Sequence, residues 1–175
     1  MMRFLLSLTV GATVWAGDWS APVDVFHDTT RCVTYRAKLE GGYLVVRAAH
    51  EPGWHSYSLD NQKRVDEKLA GKQALGVDRP TEVRLLSGLQ LAGGWQQSEP
   101  KEKSQPELNL FGWIFEGETL LAAKVRSTGG LVKVNVHGQV CTEVHCKTVD
   151  VTLSPRPGKD SPRPPPELKG LVPAR

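Results

Sequence analysis

Cys141 and Cys146 stand in the stretch HGQVCTEVHCKTVDVTL, His137–Leu153, with four residues between them. Two thiols at that spacing support three kinds of chemistry. They can close into a disulfide that only staples the chain, or exchange electrons with the thiols and disulfides of other proteins. They can also join His137 and His145 in holding copper or zinc, although Cys-x3-His-Cys is a weak zinc spacing. The neighbours bear on the second option. A protonated His145 and Lys147 favour a thiolate, whereas Glu143 opposes one.

The flanking residues set the geometry of the pair. In LVKVNVHG, Leu131–Gly138, Leu131, Lys133, Asn135 and His137 share one face and Val132, Val134 and Val136 the other. TVDVTL, Thr148–Leu153, places Val149, Val151 and Leu153 together. Alternation of this kind is the mark of a β-strand with one buried face. The two runs therefore predict a hairpin whose loop is Thr142–His145, with Cys141 and Cys146 facing each other at its base. Directly opposed residues on antiparallel strands have Cα atoms roughly 4.5–5.5 Å apart, which a disulfide spans without backbone movement. Closing so short a loop stabilises a chain by only about 2 kcal/mol. Staple, redox pair and metal ligand all stay open on these grounds.

Further short apolar runs follow the same punctuation. YLVVRAAH (Tyr43–His50) comes after the turn glycines Gly41 and Gly42, EVRLLS (Glu82–Ser87) after Pro80, and TLLAAKVR (Thr119–Arg126) after Glu116–Gly117–Glu118. Several short strands separated by Gly, Pro and Asn predict an all-β, antiparallel β-sandwich. QKRVDEKLAGK (Gln62–Lys72) is the one plausible helix, with a surface loop as the alternative. Cys32, in TTRCVTYRA, reads as a small hydrophobe on an early strand, with a free thiol or an intermolecular bridge as the other possibilities. Trp54, His55 and Tyr57 read as sandwich packing, and His50 as a hydrogen-bonded core histidine.

The two ends of the 175-residue chain differ from its middle. MMRFLLSLTVGATVWA has one early cation, an apolar run and small residues at Val14 and Ala16, the pattern of a signal peptide over residues 1–16. Export to a periplasmic or secreted location is expected, and with it oxidation of a close cysteine pair. The apolar run is short of the roughly 20 residues a membrane span needs, and no longer one occurs, so stable membrane insertion is not expected. Residues 154–175 are dense in proline and charge, which predicts an extended, disordered tail. That tail carries a net charge of +3 and leaves residues 17–153 at −1. A nearly neutral body argues against nucleic acid as a partner.

EPGWHSYSLD (Glu51–Asp60), RPTEVRLLSGLQLAGG (Arg79–Gly94), LFGWIFEGETLLAAKV (Leu110–Val125) and the cysteine hairpin follow one another in an order and spacing that is informative as a set. Together, over residues 20–153, they resemble the N-terminal periplasmic domain of the DsbD family of thiol:disulfide interchange proteins. The resemblance implies an immunoglobulin-like β-sandwich over residues 17–153 and no cofactor. It implies that Cys141 and Cys146 are the redox pair, with Cys146 forming the mixed disulfide and Cys141 resolving it. It implies a thioredoxin-like or membrane electron donor acting in trans, and oxidised extracytoplasmic proteins as acceptors. Phe111 matches the aromatic of the loop that caps the family's cysteines, and His145 is placed to tune Cys146. The chain departs from the family where acidic residues can precede that aromatic: Asn109 and Leu110 stand there, with Glu107 nearby. A secreted binding or structural module with an inert disulfide is the rival reading.

Overall fold

The computed structural model describes residues 18–73, 78–156, 158 and 163–175; the signal peptide expected over residues 1–16 lies outside them. Along the chain run β1 (Val23–His27), β2 (Thr30–Glu40), β3 (Tyr43–His50), β4 (His55–Tyr57), α1 (Asn61–Leu69), β5 (Glu82–Ser87) and β6 (Leu89–Gln97). There follow β7 (Lys101–Glu102), a 3₁₀ turn (Pro106–Leu108), β8 (Trp113–Glu116), β9 (Glu118–Ser127), β10 (Lys133–Cys141), β11 (Cys146–Leu153), a second 3₁₀ turn (Pro166–Leu168) and β12 (Val172–Pro173). No helix among the described residues is long and apolar enough to cross a membrane.

The strands form two antiparallel sheets, the β-sandwich the sequence predicts. One has the order β1-β2-β3-β9-β6-β12, the other β11-β10-β4-β8-β7, and β5 also pairs with β10. Between them lies a single large apolar cluster that includes Tyr35, Leu44, Val46, Leu121, Val134, Val136 and Leu153. The alternation read in β10 is observed, since Val132, Val134 and Val136 are buried while Leu131 and Lys133 face solvent. Asn135, on the outward face, is buried as well, and its amide donates to Asp150 and to the Val151 carbonyl across the hairpin. Gln62–Lys72 resolves in favour of the helix: α1 buries Val65 and Leu69 and closes on Ala70 in the left-handed conformation.

β10 carries two partners in succession on one side. β5 pairs with its first half, Lys133–His137, and β4 with its last two residues, Val140 and Cys141. The changeover falls at Gly138, whose φ is +155° and where a Cβ would lie 3.0 Å from the Pro80 carbonyl oxygen. A side chain there would push away the segment that brings Asp78 toward the cysteines.

The C-terminal expectation needs correction. Residues 163–175 are not an extended tail but part of the fold. β12 adds to the edge of β6, pairing Val172 with Gln97 and Pro173 with Gln96, and Ala174 N donates to the Trp95 carbonyl. Lys38 is 1% exposed and donates at 2.6 Å to both Glu40 and Glu167, with the Trp19 ring 5.2 Å from its ammonium. Burial opposes that charge, but the two carboxylates outweigh it and hold the group above its ordinary range. Gly41, at φ +56°, lets the strap pass, because a Cβ there would sit 2.3 Å from the Arg163 carbonyl oxygen. A proline-rich sequence gives no period to read, so these long-range contacts left no local signature.

Candidate active site

β10 and β11 pair in register from Val134↔Leu153 to Cys141↔Cys146, so the two cysteines are the last rung of the ladder. They are joined as a disulfide with Cα atoms 4.1 Å apart, closer than the usual spacing of directly opposed residues. Thr142 shapes the loop beyond them. Its N–H donates to the His145 carbonyl, and its hydroxyl oxygen accepts from the N–H groups of Val144 and His145. Such local side-chain bonds replace ladder bonds where a strand ends.

The two sulfurs differ in environment. Cys141 is 1% exposed and packs with Tyr57 and Ile114, whereas Cys146 is exposed. Of the two sulfurs, only that of Cys146 is open to solvent, and that of Cys141 lies inside the protein. Beside them is a cavity of about 230 Å³, lined among others by His55, Tyr57, Asp78, Phe111, Glu143 and Cys146.

The loop between β7 and β8 forms one wall of this cavity. It turns through the 3₁₀ segment, reverses at Asn109 (φ +50°) and is clasped by a bridge between Gln105 and Leu110. Lys103 ties it to the cysteine hairpin through a 2.5 Å ion pair with Glu143. The hydrogen bond and charge of Lys103 hold the Glu143 carboxyl below its ordinary range. Phe111 is 7% exposed; it packs on Val65 and Leu69 of α1 and on Trp113 while contributing to the cavity wall.

His145 stands apart from that cavity: its exposed ring meets His27, with centroids 5.4 Å apart, and His27 in turn lies 5.9 Å from Trp54. His137 is four residues before Cys141 on β10, about 13 Å along a strand, in register with Asp150 and Glu82. Among the described residues no group of three or more His, Cys, Asp or Glu side chains is placed to hold a metal ion. Cys32 is buried in the core of β2. His50 is the core histidine expected: Nδ1 donates to the Gly117 carbonyl and Nε2 accepts from the Ser56 hydroxyl.

His55 is not mere packing. It is the register partner of Cys141 and lies on the cavity wall, with Nε2 3.4 Å from the Tyr57 hydroxyl. Burial, and then the nearby Lys103 ammonium, push its pKa down. Tyr57 is pushed well above its usual range by burial and by the Asp78 carboxylate. Neither residue was legible as part of the site, because the pairing of β4 with β10 spans more than eighty residues. The alternation of His55 and Tyr57 about Ser56 is the only local signal.

No protein-family profile matches the chain, and no curated protein sequence does. Among solved structures it is similar to the DsbD N-terminal domain of Neisseria meningitidis in the reduced form. That match has 15% sequence identity and a TM-score of 0.48, and covers 82% of this chain and 91% of that one. It is also similar to a chain from the complex between the DsbD and PilB N-terminal domains of Neisseria meningitidis, at 14% identity and a TM-score of 0.42, over 69% of this chain and 79% of that one.

Proposed function

We propose that this protein exchanges disulfides with protein partners through Cys141 and Cys146. The observation that carries the reading is the unequal exposure of the two sulfurs at the end of a hairpin, beside an open cavity. A partner thiolate attacks Sγ of Cys146, the Cys141–Cys146 bond breaks, and its electron pair stays on Cys141. A second partner thiol then attacks the mixed disulfide, leaving the pair reduced and the partner oxidised. The reverse sequence passes those electrons to an oxidised protein, with Cys141 resolving the mixed disulfide. The loop bearing Phe111 acts as a lid whose displacement admits the partner's sulfur.

The sequence resemblance to DsbD N-terminal domains supports the same assignment. It indicates a thioredoxin-like or membrane protein as electron donor and oxidised extracytoplasmic proteins as acceptors. The apolar leader over residues 1–16 supports a periplasmic or secreted site of action. His145, through its position beside Cys146, favours the thiolate when protonated.

Trapping tests the assignment of roles. A reduced Cys141→Ala protein should form a stable mixed disulfide through Cys146 with an oxidised thioredoxin-like protein, seen as a shifted band that reductant collapses. A Cys146→Ala protein should give far less adduct. Equal trapping by both variants, or by neither, would overturn this division of roles between the two sulfurs.

A further inference from the structure

The rung that holds the disulfide continues across the sheet. Glu116 on β8 is in register with His55 on β4, His55 with Cys141 on β10, and Cys141 with Cys146 on β11. Directly paired residues of antiparallel strands project to the same face of the sheet at Cα separations of roughly 4.5–5.5 Å. The sequence thus lays out a row of carboxylate, imidazole, inner sulfur and outer sulfur, although these residues are scattered along it. His55 is 4% exposed, and its Nδ1 makes no hydrogen bond to any described residue.

We infer that His55 is the acid–base partner of Cys141, giving it a proton when that sulfur leaves and removing the proton when that sulfur attacks. The inference rests on the disulfide-exchange reading and assigns the proton path within it. Such a path is needed because Cys141 departs into a dry site. A thiolate left at a position 1% exposed has almost no water to stabilise it.

In the reducing direction the partner thiol ionises and its proton is held on the His55 ring. The partner sulfur bonds to Cys146, the Cys141–Cys146 bond breaks, and the proton passes to Cys141. The partner's second thiol completes the two-electron transfer, so a dithiol is oxidised as the hairpin pair is reduced. In the opposite direction the neutral ring takes the Cys141 proton. The resulting thiolate attacks Cys146 in the mixed disulfide and expels the partner's sulfur.

The surroundings suit a ring that is neutral at rest but can take up a proton. Burial is the largest influence and disfavours the imidazolium, and Lys103 of the lid loop adds to it. Glu143 of the hairpin loop, Glu116 of β8 and Asp78 before β5 act the other way. His50, whose own ring is held down mainly by burial, is the remaining neighbour in this charge field. Tyr57 fixes one edge of the ring.

The rate at which dithiothreitol reduces the disulfide, followed from pH 5 to 9 in the full chain and in His55→Gln, tests the inference. The rate near pH 7 should fall on the order of a hundredfold in the variant, and the profile should lose the inflection contributed by the imidazole. Superimposable profiles would overturn the inference while leaving disulfide exchange standing. Failure of the unaltered protein to be reduced at any pH would overturn the exchange reading itself, and this inference with it. If His55→Gln does not fold, the NMR titration of the His55 ring in the unaltered protein decides. Its midpoint should move when the disulfide is reduced, and an unmoved midpoint would overturn the assignment.

Discussion

Phe111 packs in the core and, under the proposed function, also controls access to the cysteines. Its ring closes a small cluster with Val65 and Leu69 of α1 and Trp113, and it also walls the cavity at Cys146. Phe111→Ala should therefore have two effects of opposite sense. Loss of the buried ring should cost about 3–5 kcal/mol of unfolding free energy, measured by urea denaturation. Reduction of the disulfide by a small dithiol should become faster, because the wall over the sulfur is gone. Slower or unchanged reduction would show that Phe111 does not guard the pair. The Lys103–Glu143 ion pair holds the same loop but is exposed on both sides. Solvent screens an exposed pair, so it adds little to stability and is a tether that a docking partner can displace.

At the scale of elements, the C-terminal strap is joined to α1 through one buried carboxylate. Asp60 accepts from Ser58, from Arg64, from Gln97 and from the backbone N–H of Arg175. Burial alone would raise its pKa, but Arg64 and the other donors outweigh burial and hold it at about 2, below its ordinary 3.8. A carboxyl whose folded pKa is depressed contributes stability above its unfolded pKa and loses it as pH falls toward the folded value. The contribution of Asp60 should thus be complete above about pH 4 and fade between pH 4 and 2. Asp60→Asn, which leaves Arg64 buried without its counter-charge, should cost about 3–5 kcal/mol near pH 7. It should also flatten the acid limb of a stability-versus-pH curve; an unchanged limb would mean that other carboxylates set it. The strands that alternate cleanly over six or more residues, β10 and β11, were legible in the sequence, and with them the facing cysteines. β4, with three residues, has too few to show a period. The strap's role depends on Glu167 meeting Lys38, 129 residues away, and no local pattern announces such a pair. The place of His55 beside the cysteines was hidden for the same reason, because its register partner Cys141 is supplied only by the tertiary fold.

For the whole molecule, the disulfide matters little to stability. The large apolar cluster between the sheets contains neither Cys141 nor Cys146, and seven of the eight register pairs of β10 with β11 are made by other residues. A bridge closing about six residues contributes roughly 2 kcal/mol, which for a chain of this size corresponds to about 4–8 °C in melting temperature. Reduction should therefore leave a folded protein with a melting temperature lowered by about that amount, as calorimetry with and without dithiothreitol would show. Unfolding on reduction would instead make the bond a structural staple. A domain that keeps its shape in both redox states can cycle between them, and that is what electron transfer between proteins demands.

The central claim is tested most directly by the reduction potential of the pair. The purified protein would be equilibrated with thiol–disulfide buffers of graded potential, and the Cys141–Cys146 state read by alkylation and mass mapping. Disulfide exchange predicts a midpoint above about −300 mV, within reach of physiological dithiols. A pair that stays oxidised through the whole series would contradict it and leave an inert bridge.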